Sequence, residues 1–255
     1  MQIIFMSPLL EAGLLIAIGF IVGIINTISG GGSTLTLPIL IFLGLDAPTA
    51  NGTNRIAILT QNITAIAGFK SKGIKVSKIS WWLGVSALIG SLIGAKIAID
   101  VKDETFNRIL AVVMIFIVGL MVFKPKRSLD EIAERLTGKY FWMSLVAFFF
   151  IGIYGGFIQA GTGILMMLAL SFINNMSLVK TNVVKAVTML IYTIATLMVF
   201  WLTDNLNFKY GLLMAIGQAT GGWLSSRWSV DKGDGFVKLF LILMVIVMAV
   251  KLWFF

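Results

Sequence analysis

Long runs of apolar residues constrain this chain more than any other feature. Residues 14–28 read LLIAIGFIVGIINTI and residues 239–255 read LFLILMVIVMAVKLWFF, which are lengths typical of helices inside a lipid bilayer. The chain is 58% hydrophobic and only 12% charged, whereas soluble domains carry about 25% charged residues. The sequence therefore predicts an all-α polytopic membrane protein that sits in a lipid bilayer.

Two residue types are missing from the sequence, and their absence limits the reactions that the protein could catalyse. The chain contains no Cys and no His, so it offers no thiol nucleophile, no imidazole base and no imidazole metal ligand. Its formal charge of +9 comes from basic residues in short loops, as expected of loops that face the cytoplasm. We therefore expect no enzymatic activity, no cofactor, no metal site and no nucleic-acid partner.

The sequence matches itself at an offset of 131 residues without a gap. The matches include glycine, asparagine, lysine and aspartate, which are informative in so apolar a chain. The matching pairs are Gly30 with Gly161, Gly32 with Gly163, Asn51 with Asn182, Lys78 with Lys209, Gly90 with Gly221 and Asp100 with Asp231. In the same register, Lys185 falls on Asn54 and Ala186 falls on Arg55. We interpret this pattern as an internal duplication.

The duplication divides the chain into two transmembrane repeats, residues 1–123 and 140–255, joined by a charged cytoplasmic linker, 124–139. Each repeat contains five hydrophobic segments. They span 9–28, 33–45, 53–69, 80–98 and 106–123 in the first repeat, and 140–159, 164–175, 183–201, 211–228 and 237–254 in the second. The linker could form an amphipathic surface helix.

Two membrane topologies are compatible with this layout. If all five segments cross, the odd number places the repeats in opposite orientations, as in many secondary transporters. The lysine-rich loop 69–78 and the linker then lie in the cytoplasm, and the loop 202–209, with one Asp and one Lys, lies outside. If the short second segments are re-entrant, the chain has eight spans and parallel repeats. The loop charges favour the inverted scheme.

The second segment of each repeat follows a glycine-rich break. Residues 29–34 read SGGGST, and residues 159–163 read QAGTG. A 13-residue segment such as 33–45 is only about 20 Å long as a helix, so it would begin inside the membrane. Helix starts carry unpaired N–H groups and a partial positive charge, which suits an anion. We expect the two breaks to face each other near the midplane and to bind a ligand there.

Polar residues at the start of each third segment extend this candidate site. Residues 50–55 read ANGTNR and residues 180–185 read KTNVVK. The alternative for the two cations, Arg55 and Lys185, is to snorkel from a helix end to the lipid headgroups. The candidate substrate-binding residues are Ser29, Gly30, Gly31, Gly32, Ser33, Thr34, Asn51, Thr53, Asn54, Arg55, Gln159, Gly161, Thr162, Gly163, Asn182 and Lys185.

The acidic residues indicate the sign of the ligand. Glu11, Asp46, Asp100, Asp103 and Glu104 all lie near segment ends or in loops, whereas cation pathways place carboxylates along the path. The sequence therefore predicts transport of a small anion without covalent chemistry. The alternative is a non-transporting scaffold or assembly factor, in which the glycines only allow close helix packing.

The motifs resemble the sulfite exporter TauE/SafE family of membrane transporters. The resemblance covers nearly the whole chain and depends on ISGGGSTLTLPIL at 28–40 and the following ANGTNR. The second repeat departs from the family pattern, since Ala169 stands at the position equivalent to Pro38 and Val183-Val184 at that of Gly52-Thr53. Whether both repeats contact substrate equally is therefore open.

This resemblance implies a substrate such as sulfite, an organosulfonate or another sulfur-containing oxyanion. It also implies a multi-pass protein of a bacterial or archaeal cell membrane. The residues themselves leave open which anion is carried, in which direction, with which coupling ion, and whether the chain forms a homo-oligomer.

Overall fold

The computed structural model describes residues 7–122 and 133–254, and the described residues are almost entirely helical. The helices are α1 (Pro8–Ser29), α2 (Ser33–Phe42), α3 (Ala47–Ser71), α4 (Ile79–Asp100), α5 (Asp103–Val122), α6 (Gly138–Phe157), α7 (Thr162–Ile173), α8 (Leu178–Leu202) and α9 (Phe208–Phe254). Within α9 the helix breaks at Gly233, whose φ of 68° and ψ of −170° are accessible to glycine. The ten segments predicted from the sequence therefore correspond to α1–α8 and the two parts of α9.

Among the described residues, four helices are long and apolar enough to cross a membrane, namely α1, α4, α6 and α8. The polytopic, all-α prediction is confirmed. The helices α2 and α7, with 10 and 12 residues, are about 15 and 18 Å long, so both are too short to cross alone.

Two helix boundaries differ from the prediction. The helix α3 begins at Ala47, with the Asp46 side chain accepting from the Thr49 amide at its N-terminus, six residues before the predicted start at 53. In the linker, residues 133–137 are not helical and α6 begins at Gly138. The remainder of the predicted surface helix, residues 124–132, lies outside the described residues.

Glycines bring helices of the two repeats into backbone contact. A Cβ on Gly23 of α1 would lie 2.9 Å from Gln218 Cα of α9, and Gly19 meets Met214 in the same way. In the equivalent pair, a Cβ on Gly90 of α4 would lie 2.9 Å from the Ile153 amide of α6. The first helix of each repeat therefore packs along the fourth helix of the other repeat, at the short distance that glycine permits.

The order of these contacts gives the helix directions. Gly19 and Gly23 meet Met214 and Gln218 in ascending order, so α1 and α9 run parallel. The helices α3 and α8 run antiparallel, because Arg55 near the start of α3 contacts Thr196 near the end of α8, whereas Ala65 and Phe69 pack with Val183.

The remaining pairs follow the same rule. Ile56 and Gln61 of α3 meet Gly211 and Gly222 of α9 in ascending order, and likewise α4 runs parallel to both α6 and α8. Helices that are equivalent under the 131-residue offset thus point in opposite directions. This is the arrangement expected of the inverted scheme, while the orientation in a membrane stays a prediction.

The connections between helices lie on two opposite faces. The lysine face carries residues 72–78, 133–137 and 174–177, linked by ion pairs from Lys72 to Asp231 at 2.7 Å and from Lys180 to Glu134 at 2.6 Å. The opposite face carries residues 43–46, 101–102 and 203–207, with Lys209 paired to Glu11 at 2.8 Å. Described basic residues on the lysine face are Lys70, Lys72, Lys75, Lys78, Arg135, Lys139, Lys180, Arg227 and Lys232. We therefore expect the lysine face to be cytoplasmic.

Candidate functional site: two helix breaks in contact

Each repeat has a helix break where the sequence predicts one. In the first repeat α1 ends at Ser29, Gly30 adopts a φ of 79°, and α2 begins at Ser33. In the second repeat α6 ends at Phe157, Gln159 and Gly161 adopt φ values of 66° and 70°, and α7 begins at Thr162. A positive φ is easily adopted by glycine but strained for most residues, so the left-handed turns account for Gly30 and Gly161.

The two breaks lie against each other in the protein interior. A Cβ on Gly30 would lie 2.7 Å from Gly163 Cα, and a Cβ on Gly163 would lie 2.5 Å from Gly30 Cα. Any side chain at either position would therefore collide with the opposite backbone. The structure brings the two predicted glycine motifs together. Glycine is required at both positions for the contact, and at Gly30 for the left-handed turn as well.

Arg55 of α3 binds the end of α6, which belongs to the other repeat. Its Nη2 donates to the carbonyl oxygens of Gly156 at 2.6 Å and Gly155 at 3.2 Å, and to Asn51 Oδ1 at 3.3 Å. Its Nη1 donates to Gln159 Oε1 at 2.9 Å and Thr196 Oγ1 at 2.8 Å. Asn51 Nδ2 also donates to the Phe157 carbonyl at 2.7 Å. The guanidinium thus satisfies carbonyls that the broken helix leaves without intrahelical donors.

Lys185 of α8 makes the reciprocal contact with the end of α1. Its Nζ donates to the carbonyl oxygens of Thr27 at 2.8 Å and Asn26 at 2.9 Å, and to Asn182 Oδ1 at 2.7 Å. Asn182 Nδ2 donates in turn to the Ile28 carbonyl at 3.2 Å. Each repeat therefore supplies one cation and one asparagine to the broken helix of the other repeat.

Both cations are buried among protein atoms rather than directed to the surface. The exposed fraction is 0% for Arg55 and 2% for Lys185, so the snorkelling alternative does not describe them. Among the described residues, these two are the buried charged side chains. The partial charges of about −0.5 at a helix C-terminus and +0.5 at the next N-terminus nearly cancel at each break. The buried cluster therefore holds a surplus of about two positive charges.

The cluster also contains buried N–H donors with no hydrogen-bond partner in the described part of the chain. These are Asn54 Nδ2 and Arg55 Nε. The acceptor side of the Asn54 amide is occupied, since Thr36 Oγ1 donates to Asn54 Oδ1 at 2.8 Å. A buried N–H without an acceptor is unfavourable, and an anion supplies acceptor oxygens.

All sixteen predicted site residues are buried, but they play different local roles. The hydroxyls of Ser29, Thr34 and Thr162 donate to nearby carbonyls at 2.7, 2.6 and 2.9 Å, so their protons already have acceptors in this conformation. Thr53 lies apart from the breaks, where its Oγ1 accepts from the Asn207 amide at 2.8 Å before α9.

Sequence reasoning missed several members of the cluster. Gln61 bridges Asn26 Nδ2 and Thr27 Oγ1, both at 3.0 Å, and Thr196 accepts from Arg55. Tyr192, which is equivalent to Gln61 under the 131-residue offset, has its hydroxyl 3.2 Å from where a Cβ of Gly155 would lie. A search for polar residues in the middle of apolar segments would have found all three. No group of three metal-ligating side chains occurs in the part of the chain that the structure describes.

A family model for the sulfite exporter TauE/SafE matches residues 15–252. The chain belongs to this family. Its relatives include a "Probable membrane transporter protein" of Haemophilus influenzae, 26% identical over 94% of this chain and 93% of the relative. Another is "Probable membrane transporter protein YfcA" of Escherichia coli K12, 28% identical over 96% of this chain and 90% of the relative. A third, from Sinorhizobium sp, is 27% identical over 91% of this chain and 88% of the relative.

No solved structure matches the chain significantly. The family match confirms the resemblance seen in the glycine and ANGTNR motifs, and the names of the relatives are those of membrane transporters. The chain is therefore a multi-pass membrane protein of a transporter family.

Proposed function

We propose that this TauE/SafE protein transports a small sulfur-containing oxyanion, sulfite or an organosulfonate, across a bacterial or archaeal cell membrane. The observation that carries the proposal is the buried cluster at the paired helix breaks, with two cations, two unpartnered N–H donors and no buried carboxylate in the described chain. An oxyanion there would accept hydrogen bonds and balance the surplus charge.

The anion would bind without covalent chemistry. Arg55 supplies donors at the second break, Asn54 supplies an amide donor beside α2, and Lys185 supplies charge at the first break. The amides at the starts of α2 and α7 also lie at the breaks, where the C-termini of α1 and α6 offset most of their partial positive charge. Because the backbones of Gly30 and Gly163 touch, binding between the breaks requires them to separate, which couples occupancy to a movement of the two repeats.

The membrane potential has a direct effect on such a substrate. Moving one negative charge out of a cell that is negative inside releases about 2.3 kcal/mol per 100 mV. Export of a monovalent or divalent oxyanion would therefore proceed without a coupling ion. The scaffold alternative gains no support from the relatives, whose names describe transporters.

The test is uptake of radiolabelled sulfite into proteoliposomes that contain the purified protein. We expect flux above that of protein-free liposomes, and we expect Asn54→Asp to reduce it about tenfold or more. The substitution keeps the size and the acceptor oxygen but replaces an unpartnered donor by a carboxylate, which neutralises part of the cationic cluster and repels the anion.

Asn107→Asp is the matched control, because it makes the same change at an exposed position in α5. Thermal unfolding of both variants in detergent separates loss of transport from loss of folding. Wild-type protein that carries neither sulfite nor an organosulfonate would contradict the proposal. Full transport activity of a folded Asn54→Asp variant would show that the buried cluster does not bind the anion.

A further inference from the structure

A cavity of about 330 Å³ opens on the lysine face. It lies between the loop after α3 and the first turns of α8, and Glu134 closes one side. Its lining residues are Gly73, Ile74, Lys75, Ser77, Glu134, Met176, Lys180, Val183 and Val184. Its volume falls in the range of small-molecule sites in proteins.

The mouth of the cavity is basic, and its buried wall lies on the part of α8 that also carries Asn182 and Lys185. Lys75 and Lys180 are both exposed at the mouth, and Lys180 pairs with Glu134 at 2.6 Å. This wall includes Val183 and Val184, which lie in the chain directly between Asn182 and Lys185. The cavity wall therefore includes the same turn of α8 whose Asn182 and Lys185 side chains bind the end of α1.

The equivalent position on the opposite face is closed. Under the 131-residue offset, Val183 and Val184 correspond to Gly52 and Thr53, and loop residues 73–77 correspond to 204–208. There the chain packs directly on α3, since a Cβ on Gly52 would lie 3.0 Å from the Leu206 side chain. Thr53 Oγ1 also accepts from the Asn207 amide at 2.8 Å.

One repeat thus has a cavity where the other repeat is closely packed, as expected of a transporter built from two inverted repeats. Such proteins expose a central site to one side of the membrane at a time. In the described conformation a cavity lies beside α8 on the lysine face, and the equivalent position beside α3 is filled by the 205–207 turn.

We propose that the cavity lined by Lys75, Lys180 and Val184 is the vestibule through which the anion reaches the buried cluster from the lysine face. This inference rests on the proposed function, since the occupant is the transported oxyanion. The two lysines raise the local concentration of anions at the mouth. The Lys180–Glu134 ion pair lines this cavity, and an incoming oxyanion competes with Glu134 for Lys180.

The absence of cysteine from the sequence permits a direct test of accessibility. Val184→Cys and Thr53→Cys place single thiols at equivalent positions of the two repeats. In membrane vesicles, an impermeant anionic methanethiosulfonate reagent should label Val184→Cys from the lysine face only. Labelling should be at least about tenfold faster than at Thr53→Cys, because a minor opposite conformation is populated to about 10% or less.

Ethanesulfonate, which does not react with the reagent as sulfite would, should slow the labelling of Val184→Cys, whereas chloride at equal ionic strength should not. If Val184→Cys does not fold, Ser77→Cys lines the same cavity at a partly exposed position. Equal labelling at residues 53 and 184, or none at 184 and 77, would overturn the vestibule. If ethanesulfonate did not slow the labelling, the proposal that the anion occupies the cavity would be wrong.

A second measurement tests the lysines. We expect the double variant Lys75→Gln, Lys180→Gln to raise the KM for sulfite about three- to tenfold with little change in the maximal rate, because steering affects capture rather than translocation. Lys209→Gln on the opposite face is the control and should leave the KM unchanged. An unchanged KM in the double variant would overturn the role of the lysines. If the wild-type protein showed no flux of sulfite or of an organosulfonate, the proposed function itself would be wrong, whatever the labelling shows.

Discussion

The two helix breaks meet the same structural requirement with different chemistry. At the break between α1 and α2, the partners of the Lys185 ammonium include two backbone carbonyls, the Asn182 amide oxygen and Met167 Sδ. At the break between α6 and α7, the guanidinium of Arg55 binds two backbone carbonyls and three side chains. In both cases a cation from one repeat stabilises the end of a helix from the other repeat, where the helix dipole is negative.

The comparison also shows that equivalent function need not occupy equivalent positions. Under the 131-residue offset Lys185 corresponds to Asn54, and Arg55 corresponds to Ala186. The two cations are thus displaced by one residue on antiparallel helices, yet both reach a broken helix end. The longer, planar arginine can engage more partners at once than the compact lysine.

The first prediction concerns the relative weight of the two cations. Replacing Arg55 by Met leaves several buried carbonyls and polar side chains without donors, and we expect it to lower the free energy of unfolding by about 4 kcal/mol. Lys185→Met should cost about 3 kcal/mol. Arg108→Met, at an exposed position paired with Glu104, should change stability by less than about 0.5 kcal/mol. Denaturation in mild detergent measures all three.

A larger loss of stability for Lys185→Met than for Arg55→Met would show that the first break depends more on its cation than the second break does. An equal loss would indicate that the helix-end carbonyls, common to both, account for most of the stabilisation.

The second prediction concerns the contact between the breaks. Gly30→Ala places a Cβ against the Gly163 backbone and strains a φ of 79°, and we expect a cost of about 3 kcal/mol. Gly73→Ala is a matched control, because Gly73 has the same φ of 79° with nothing within 4 Å of the added Cβ. It should cost only about 1 kcal/mol. Thermal unfolding followed by tryptophan fluorescence measures the stability of both variants. The difference between their losses is the cost of the collision with the Gly163 backbone.

Similar losses for Gly30→Ala and Gly73→Ala would show that the two breaks are able to move apart at little cost. The stability of each break would then not depend on its contact with the other break.

The third and smallest effect concerns a partner that only the second break has. Thr196→Val removes the hydroxyl that accepts from Arg55 Nη1 at 2.8 Å, and we expect a loss of about 1.5 kcal/mol, as for a hydrogen bond to a charged group. Thr220→Val is the control, because the Thr220 hydroxyl is exposed and bonds within its own helix to Ile216 at 3.1 Å. A cost below about 0.5 kcal/mol is expected there. If both substitutions had the same effect in thermal unfolding, Thr196 would not contribute to holding Arg55.

The sequence was sufficient to predict the helical segments and the two breaks, because apolar length and glycine content determine them locally. It missed the start of α3 at Ala47, since the prediction followed apolar residues and ignored the capping signal of Asp46 with Pro48 in the first turn. The predicted site also includes Thr53, whose hydroxyl accepts from the Asn207 amide in the turn before α9.

The roles of the cations could not be read from the sequence in the same way. Arg55 and Lys185 were each predicted to contact a ligand or a headgroup. That each binds the backbone of the opposite repeat depends on contacts between residues about 100 and 158 positions apart, which no local pattern encodes. Gln61 and Thr196 were missed for a related reason, since single polar residues in apolar segments acquire meaning only from the neighbours they meet.

The exchange of cations between the repeats has a consequence for how such a chain can be assembled. Neither half contains the donor that its own broken helix needs, because Arg55 serves α6 and Lys185 serves α1. A half-length protein would therefore be stable only beside a second half inserted in the opposite direction. Fusion of the two halves into one polypeptide guarantees that partner in equal amount and in the required orientation.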